Sequence, residues 1–238
     1  MKKRVLILGS KPGAVIDEFD VAYCANSSGF LYRDQLVNRG DNLNTIVAAS
    51  ELMSTPSRNS NEKKLWQQER INAIKSLTNH NLKIVSSEFF PEIIRDMADF
   101  RDYKSLELLP HRKYEDFIKS LGCLYPIITP DHIHLDGSIL KETLRYFLEL
   151  LKYKCRYQYL VNPLYRQGTG LICLIEAIMC HGQDASYKIA GIGFDDRNLY
   201  EGGGINTWTP HSKINKNHVF ADKKLIKHLS NLYEINCR

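Results

Sequence analysis

Arg166-Gln167-Gly168-Thr169-Gly170 decides the reading of this chain because of what stands on either side of it. Upstream is an apolar segment, Tyr159-Leu160-Val161, and downstream Leu171, Leu174, Ile175 and Ile178 recur at helical spacing. A second buried run follows at once, Tyr187-Lys188-Ile189-Ala190-Gly191-Ile192-Gly193-Phe194. A glycine turn opening a helix between two apolar runs predicts a crossover between parallel strands. The first N–H groups of such a helix lack intrahelical acceptors and sit at the positive end of its dipole, which suits a phosphate. A glycine turn alone often serves only to bend the chain. Arg166 and Thr169 add a cation and a hydroxyl to this one.

Working outward, Val5–Leu8 reads as a first strand ending in Gly9-Ser10-Lys11-Pro12-Gly13, and Val21–Ala25 as a second ending in Asn26-Ser27-Ser28-Gly29. Thr45–Ala49 is a third strand, Glu62 to Leu77 an amphipathic helix, and Leu82–Val85 a fourth strand. No internal period marks a repeat protein. Strands alternating with helical patterns predict an α/β fold, a parallel sheet with helices on both faces. Residues 89–134 differ: aromatics and charges are mixed, and Pro91, Pro110, Pro126 and Pro130 cut them into short pieces. They are expected to form a lid or acceptor-side insertion outside the sheet. From Ser138, Leu140, Leu144, Phe147, Leu148 and Leu151 define one face of a helix, expected to pack into the core and alternatively able to touch a membrane. Gly202-Gly203-Gly204 predicts a mobile loop beyond the strand that ends at Phe194. A last helix is expected over Asp222 to Tyr233, with Leu225, Leu229 and Leu232 inward.

With 238 residues, 43% hydrophobic and 25% charged, the chain has the material for one folded domain. Its net charge is +5, of which the stretch from His211 onward, six Lys/Arg against two acids, supplies +4. That patch suits an anionic substrate or a membrane surface as well as it suits a solvated helix face. No basic stripe interleaved with aromatics speaks for nucleic acid. The six cysteines form no CxxC pair and read as reduced thiols, which predicts a cytoplasmic protein. Met1-Lys2-Lys3-Arg4 imitates a signal peptide, but only four apolar residues precede Gly9.

The order of these motifs resembles a known family. A strand with a Gly-x-x-Pro turn, a strand ending in Cys-Ala-Asn, then Arg-x-Gly-Thr-Gly, a helix, a strand with Gly-Ile-Gly-Phe and a histidine before a terminal helix is similar to sialyltransferase-like glycosyltransferases. Bacterial family 42 is the nearer resemblance and family 29 the more distant. It covers the first thirty residues and about Leu160 onward. The resemblance implies one Rossmann-like domain of the GT-A variant type over 1–238, with 89–134 as the lid, acting on CMP-activated sugar acids. It implies that Gly9, Ser10 and Pro12 form the first nucleotide turn and that Asn26 reaches CMP. Gly168, Thr169 and Gly170 would cradle ribose and phosphate, with Gly168 replacing a hydroxyl residue of the family pattern. Gly191 and Phe194 would line the cytidine pocket. His218, ahead of Asp222, would match the catalytic base, with His211 as the competing candidate.

The implied reaction moves a 2-keto sugar acid, sialic acid or Kdo, from CMP to a glycan or glycolipid acceptor such as bacterial lipopolysaccharide. It needs a base for the acceptor hydroxyl and positive potential for the departing CMP. A histidine suits the first, and Arg166 and Tyr200 are the candidates for the second. A monophosphate leaving group calls for no metal and no cofactor. Peripheral contact with the inner face of a membrane fits such an acceptor. Two rivals remain open: a metal-dependent nucleotide-diphosphosugar transferase using Asp195-Asp196, and a non-catalytic nucleotide-binding module. Most histidines in a protein serve no catalysis, and eight are present here, so His218 rests on the resemblance.

Overall fold

The apolar strands are buried on both faces, as a parallel sheet requires. The computed structural model describes residues 1–11, 13–37, 42–48, 69, 71–86, 105–110, 112–124, 144, 148, 151, 159–160, 168–192 and 222–237. The main strands are β1 (Lys3–Leu8), β2 (Val21–Ala25), β3 (Leu43–Ala48), β4 (Asn81–Ser86) and β5 (Ser105–Pro110). A short pair, β6 (Cys123–Leu124) and β7 (Tyr159–Leu160), and then β8 (Ala185–Ala190) and β9 (Glu234–Cys237), complete the strands among the described residues. Seven of them form one sheet in the order β5-β4-β3-β2-β1-β8-β9, with every neighbouring pair parallel.

Side chains alternate across that sheet. Val5, Ile7, Val21 and Tyr23 join one core with helix Thr169–His181, helix Arg112–Ser120 and the helix at 222–229. Leu6, Leu8, Ala22 and Cys24 join a second core with Ile16, Phe19, Tyr32 and Leu36, from the loop and the short helices Ser28–Leu31 and Arg33–Leu36. Helix Thr169–His181 is buried continuously from Gly170 to Ile178, a central element with no solvent face along that run.

Several expectations need correction. Residues 105–110, read as lying outside the sheet, are its edge strand, followed by a helix over Arg112–Ser120. Tyr159–Leu160 is a strand, but it pairs with β6 in a separate two-stranded sheet and not beside β8. The last helix stops at 229 and the chain turns into β9, leaving Leu232 41% exposed where an inward position was expected. Leu144, Leu148 and Leu151, expected in the core, are exposed. The remainder of 89–134, the remainder of the helix from Ser138 and the glycine loop at 202–204 lie outside the described residues. Among the described residues, no helix is long and apolar enough to cross a membrane.

Candidate functional site

The sheet reverses its direction of growth at β1. From there the chain builds β2 to β5 on one side, and later places β8 and β9 on the other. Ligands of open α/β sheets bind at the carboxyl ends of the strands at such a switch point. The helix preceding β8 returns its N-terminus to the same edge. Gly9–Lys11, Asn26 and Gly168–Gly170 all belong to this edge.

Three contacts build it. The loop after β1 and the loop after β8 touch directly: the Gly9 N–H donates to Ala190 O at 2.9 Å and the Lys11 N–H to Gly191 O at 2.8 Å. A Cβ at Gly9 would overlap the Gly191 carbonyl, and one at Gly191, whose φ is +66°, would lie 2.6 Å from Gly9 O. Both glycines are therefore needed for strand-end packing whether or not a ligand binds. Gly170 is buried against Ile192, whose Cδ1 a Cβ would overlap and whose Cγ1 would lie 3.0 Å away.

Asn26 follows β2 in the left-handed region at φ 53°, the one positive-φ non-glycine residue among those described. Its backbone N–H donates to Ile46 O at 2.9 Å, and its amide Nδ2 donates to Thr169 Oγ1 at 3.3 Å. The amide Oδ1 is buried without a hydrogen-bond partner. Turned over, the same amide would accept the Thr169 hydroxyl proton and offer its NH2 instead. In either setting one polar atom of this half-buried amide stays without a partner beside a helix N-terminus, and orphaned groups of this kind call for a partner.

The helix N-terminus is partly occupied. The Gly168 N–H donates to Asp222 Oδ2 at 2.8 Å, so a buried carboxylate from the last helix caps this one. The negative charge is favourable at the dipole's positive end. It also claims the first donor that a phosphate would use. Asp222, expected to orient His218, is engaged here with Gly168. Any phosphate at this edge would meet the N–H groups of Thr169 and Gly170, the Thr169 hydroxyl and the Asn26 amide, not the Gly168 N–H.

Support comes from residues that sequence reading passed over. The buried Ser28 hydroxyl donates to Leu8 O at 2.9 Å and ties the turn after β2 to the end of β1. The Tyr32 hydroxyl donates to Lys11 O and accepts the Ala14 N–H at 3.1 Å, clamping the loop after β1. His80 lies under the same turn: a Cβ on Gly29 would sit 2.8 Å from its Cε1, and its Nδ1 meets Thr45 Oγ1 at 2.8 Å. Burial pushes the His80 imidazole down to about 4 from its ordinary 6.5, so it is neutral at physiological pH.

Of the residues named from sequence, the structure brings Gly9 and Gly191 together, and Asn26, Gly168, Thr169 and Gly170 together, along one edge. Ser10 follows Gly9 and is half-buried. Pro12, Arg166, Phe194, Tyr200, His211 and His218 lie outside the described residues, as do Asp195 and Asp196. No protein-family model, curated protein or solved structure matches this chain.

Proposed function

We propose that this chain is a glycosyltransferase that moves a sialic acid or Kdo residue from its CMP-activated form to a bacterial surface glycan. The observation that carries the reading is the Asn26–Thr169 pair at the switch point, with the Oδ1 of the half-buried Asn26 amide left without a partner. A nucleoside monophosphate offers what that edge lacks. Its ribose hydroxyls or cytosine amine donate to Oδ1, and its phosphate accepts from NH2, from the Thr169 hydroxyl and from helix N–H groups. Direct displacement then requires His218, or His211, to take the acceptor proton, with Arg166 and Tyr200 facing the departing CMP.

The Asp222 carboxylate favours a second reading, a nucleotide-binding module without catalysis, because a site already holding a carboxylate on its first donor has less pull on a transferred phosphate. Turnover separates the two. Mass spectrometry of reactions with CMP-sialic acid and CMP-Kdo, with and without EDTA, should show EDTA-resistant transfer from one donor. His218→Ala should then lower the rate by about 10²–10⁴-fold and leave CMP binding nearly unchanged. Transfer restored only by manganese would put the diphosphosugar reading ahead. CMP binding without transfer from either donor would favour the module.

A further inference from the structure

Lys83, Lys113 and Lys188 are half-buried, and each meets a carboxylate: Lys83 lies 2.7 Å from Glu176 Oε1, Lys113 3.5 Å from Glu176 Oε2, and Lys188 pairs with Asp17. Removing a charge from water is costly without such a partner. Lys11 is half-buried too, yet among the described residues its ammonium has no ion pair and no hydrogen bond. Its main chain is held firmly. The Lys11 N–H donates to Gly191 O at 2.8 Å, and its carbonyl accepts the Tyr32 hydroxyl. Ile192, the residue after Gly191, packs on Gly170 in the first turn of helix Thr169–His181. Two consecutive residues thus join the Lys11 main chain to that turn, and a lysine stem reaching about 6 Å spans a separation of that order.

The same edge has a charge imbalance that a cation would correct. Asp222, 5% exposed, already places a carboxylate on the Gly168 N–H. A phosphate on the Thr169 and Gly170 N–H groups adds one or two more negative charges beside it. Like charges so close repel strongly where water is partly excluded. The helix terminus offers about half a positive charge, which the Asp222 carboxylate already draws on. Hydroxyls and amides add dipoles but no net charge, so holding a phosphate here calls for a full positive charge.

We propose that Lys11 supplies it, and that its ammonium binds the phosphate of a nucleoside monophosphate at this edge. The inference rests on the reading of the edge as a nucleotide site and assigns the phosphate its counter-charge. It makes Lys11 the residue that separates a nucleotide from its nucleoside. Ribose and base would keep their contacts without it, and the phosphate would not. Lys223 is the natural control, because it neighbours Asp222 but is exposed on the last helix.

Calorimetric titration of the full chain with CMP, the other nucleoside monophosphates and cytidine tests it. The wild type should bind CMP at least about tenfold more tightly than cytidine, and Lys11→Met should lose about 10–100-fold in CMP affinity, with cytidine affinity and melting temperature unchanged. Lys11→Arg should keep most of the CMP affinity, and Lys223→Met should match the wild type. Should Lys11→Met fail to fold, amine acetylation of the wild type read by mass spectrometry makes the comparison: CMP should protect Lys11, cytidine should not, and Lys223 should stay open. Unchanged CMP affinity in folded Lys11→Met, or an equal loss in Lys223→Met, overturns the proposal while leaving the nucleotide reading in place. A Lys11-dependent response to another monophosphate and none to CMP upholds the proposal and sinks the CMP reading. No response to any nucleoside monophosphate overturns both.

Discussion

Helix Thr169–His181 holds buried polar groups in two places, and they are built differently. At its middle, Glu176 is 1% exposed and fully engaged: Lys83 Nζ donates to Oε1 at 2.7 Å and Lys113 Nζ to Oε2 at 3.5 Å. Burial pushes this carboxyl up, but the hydrogen bond and charge of Lys83, with the charge of Lys113, outweigh that and hold it below the usual carboxylate range. At its N-terminus the Asn26 amide has a single hydroxyl contact and an open oxygen. An orphan atom alone does not mark a site, since the buried Tyr114 hydroxyl also lacks a hydrogen-bond partner. Position separates the two. Asn26 stands at the carboxyl edge of the sheet, while Glu176 joins the helix to β4 and to helix Arg112–Ser120, where ion pairs hold elements together.

The contrast breaks most readily at the middle of the helix. Lys83→Met leaves a buried carboxylate with only the longer contacts of Lys113 and the Cys180 thiol and should cost about 3–5 kcal/mol, read as a shift of the urea midpoint. Adding Glu176→Leu should recover much of the loss, because replacing both charges by apolar groups removes the stranded one. CMP binding should survive in the double variant if the middle of the helix is structural.

Acid should come next. His80 has a folded pKa of about 4 against 6.5 when free, so the unfolded chain takes up the proton first. Its contribution is present above pH 6.5 and is lost as pH falls toward about 4, on the order of 3 kcal/mol. Glu176, also depressed, adds a further loss as pH falls below its ordinary value of 4.5. Chemical denaturation at a series of pH values should show both limbs. His80→Gln should flatten the upper limb, and an unchanged upper limb would mean that the imidazole does not titrate as its burial dictates.

Smaller again is the packing at the helix N-terminus. Gly170→Ala forces a methyl into Ile192 and should cost about 1–3 kcal/mol, with Ile192→Val, which removes Cδ1, relieving part of it. A stability loss that Ile192→Val leaves untouched would show that Gly170 is needed for something other than room. The smallest expected effect on stability is that of Thr169→Val, which keeps the shape and removes a hydroxyl. It should change the melting temperature little and weaken CMP binding if Thr169 is a ligand contact; a large loss of stability would make it a group that holds the fold.

Legibility in the sequence followed the same division. Val5–Leu8 of β1 and the whole of β2 are uninterrupted apolar runs closed by glycine or asparagine, so their existence and the turns after them could be read locally. β5 could not. It is a half-exposed edge with Leu106 and Glu107 in solvent and Pro110 at its end, a place where a sheet tolerates proline and where little apolar signal is needed. β9 is likewise an exposed edge. The helical period at Leu171, Leu174, Ile175 and Ile178 was visible, but the burial of Glu176 was not, because its lysines lie 93 and 63 residues away in the chain. Asn26 and Thr169 were each marked by their turns, and the fold alone brings them together across 143 residues. The Asp222 carboxylate on Gly168 spans 54 residues and had no local signal.

The central claim, that Asn26 is a nucleotide contact, is tested most directly by CMP-induced thermal stabilisation of the wild type and of Asn26→Gly. Glycine accepts the left-handed backbone at position 26, so the variant removes the amide without straining the turn. CMP should raise the wild-type melting temperature more than UDP, GDP or NAD does, and should do so without metal. Asn26→Gly should melt close to the wild type and respond weakly or not at all. A CMP response unchanged in the folded variant, or a wild type stabilised by a diphosphate nucleotide with manganese and not by CMP, would contradict the account.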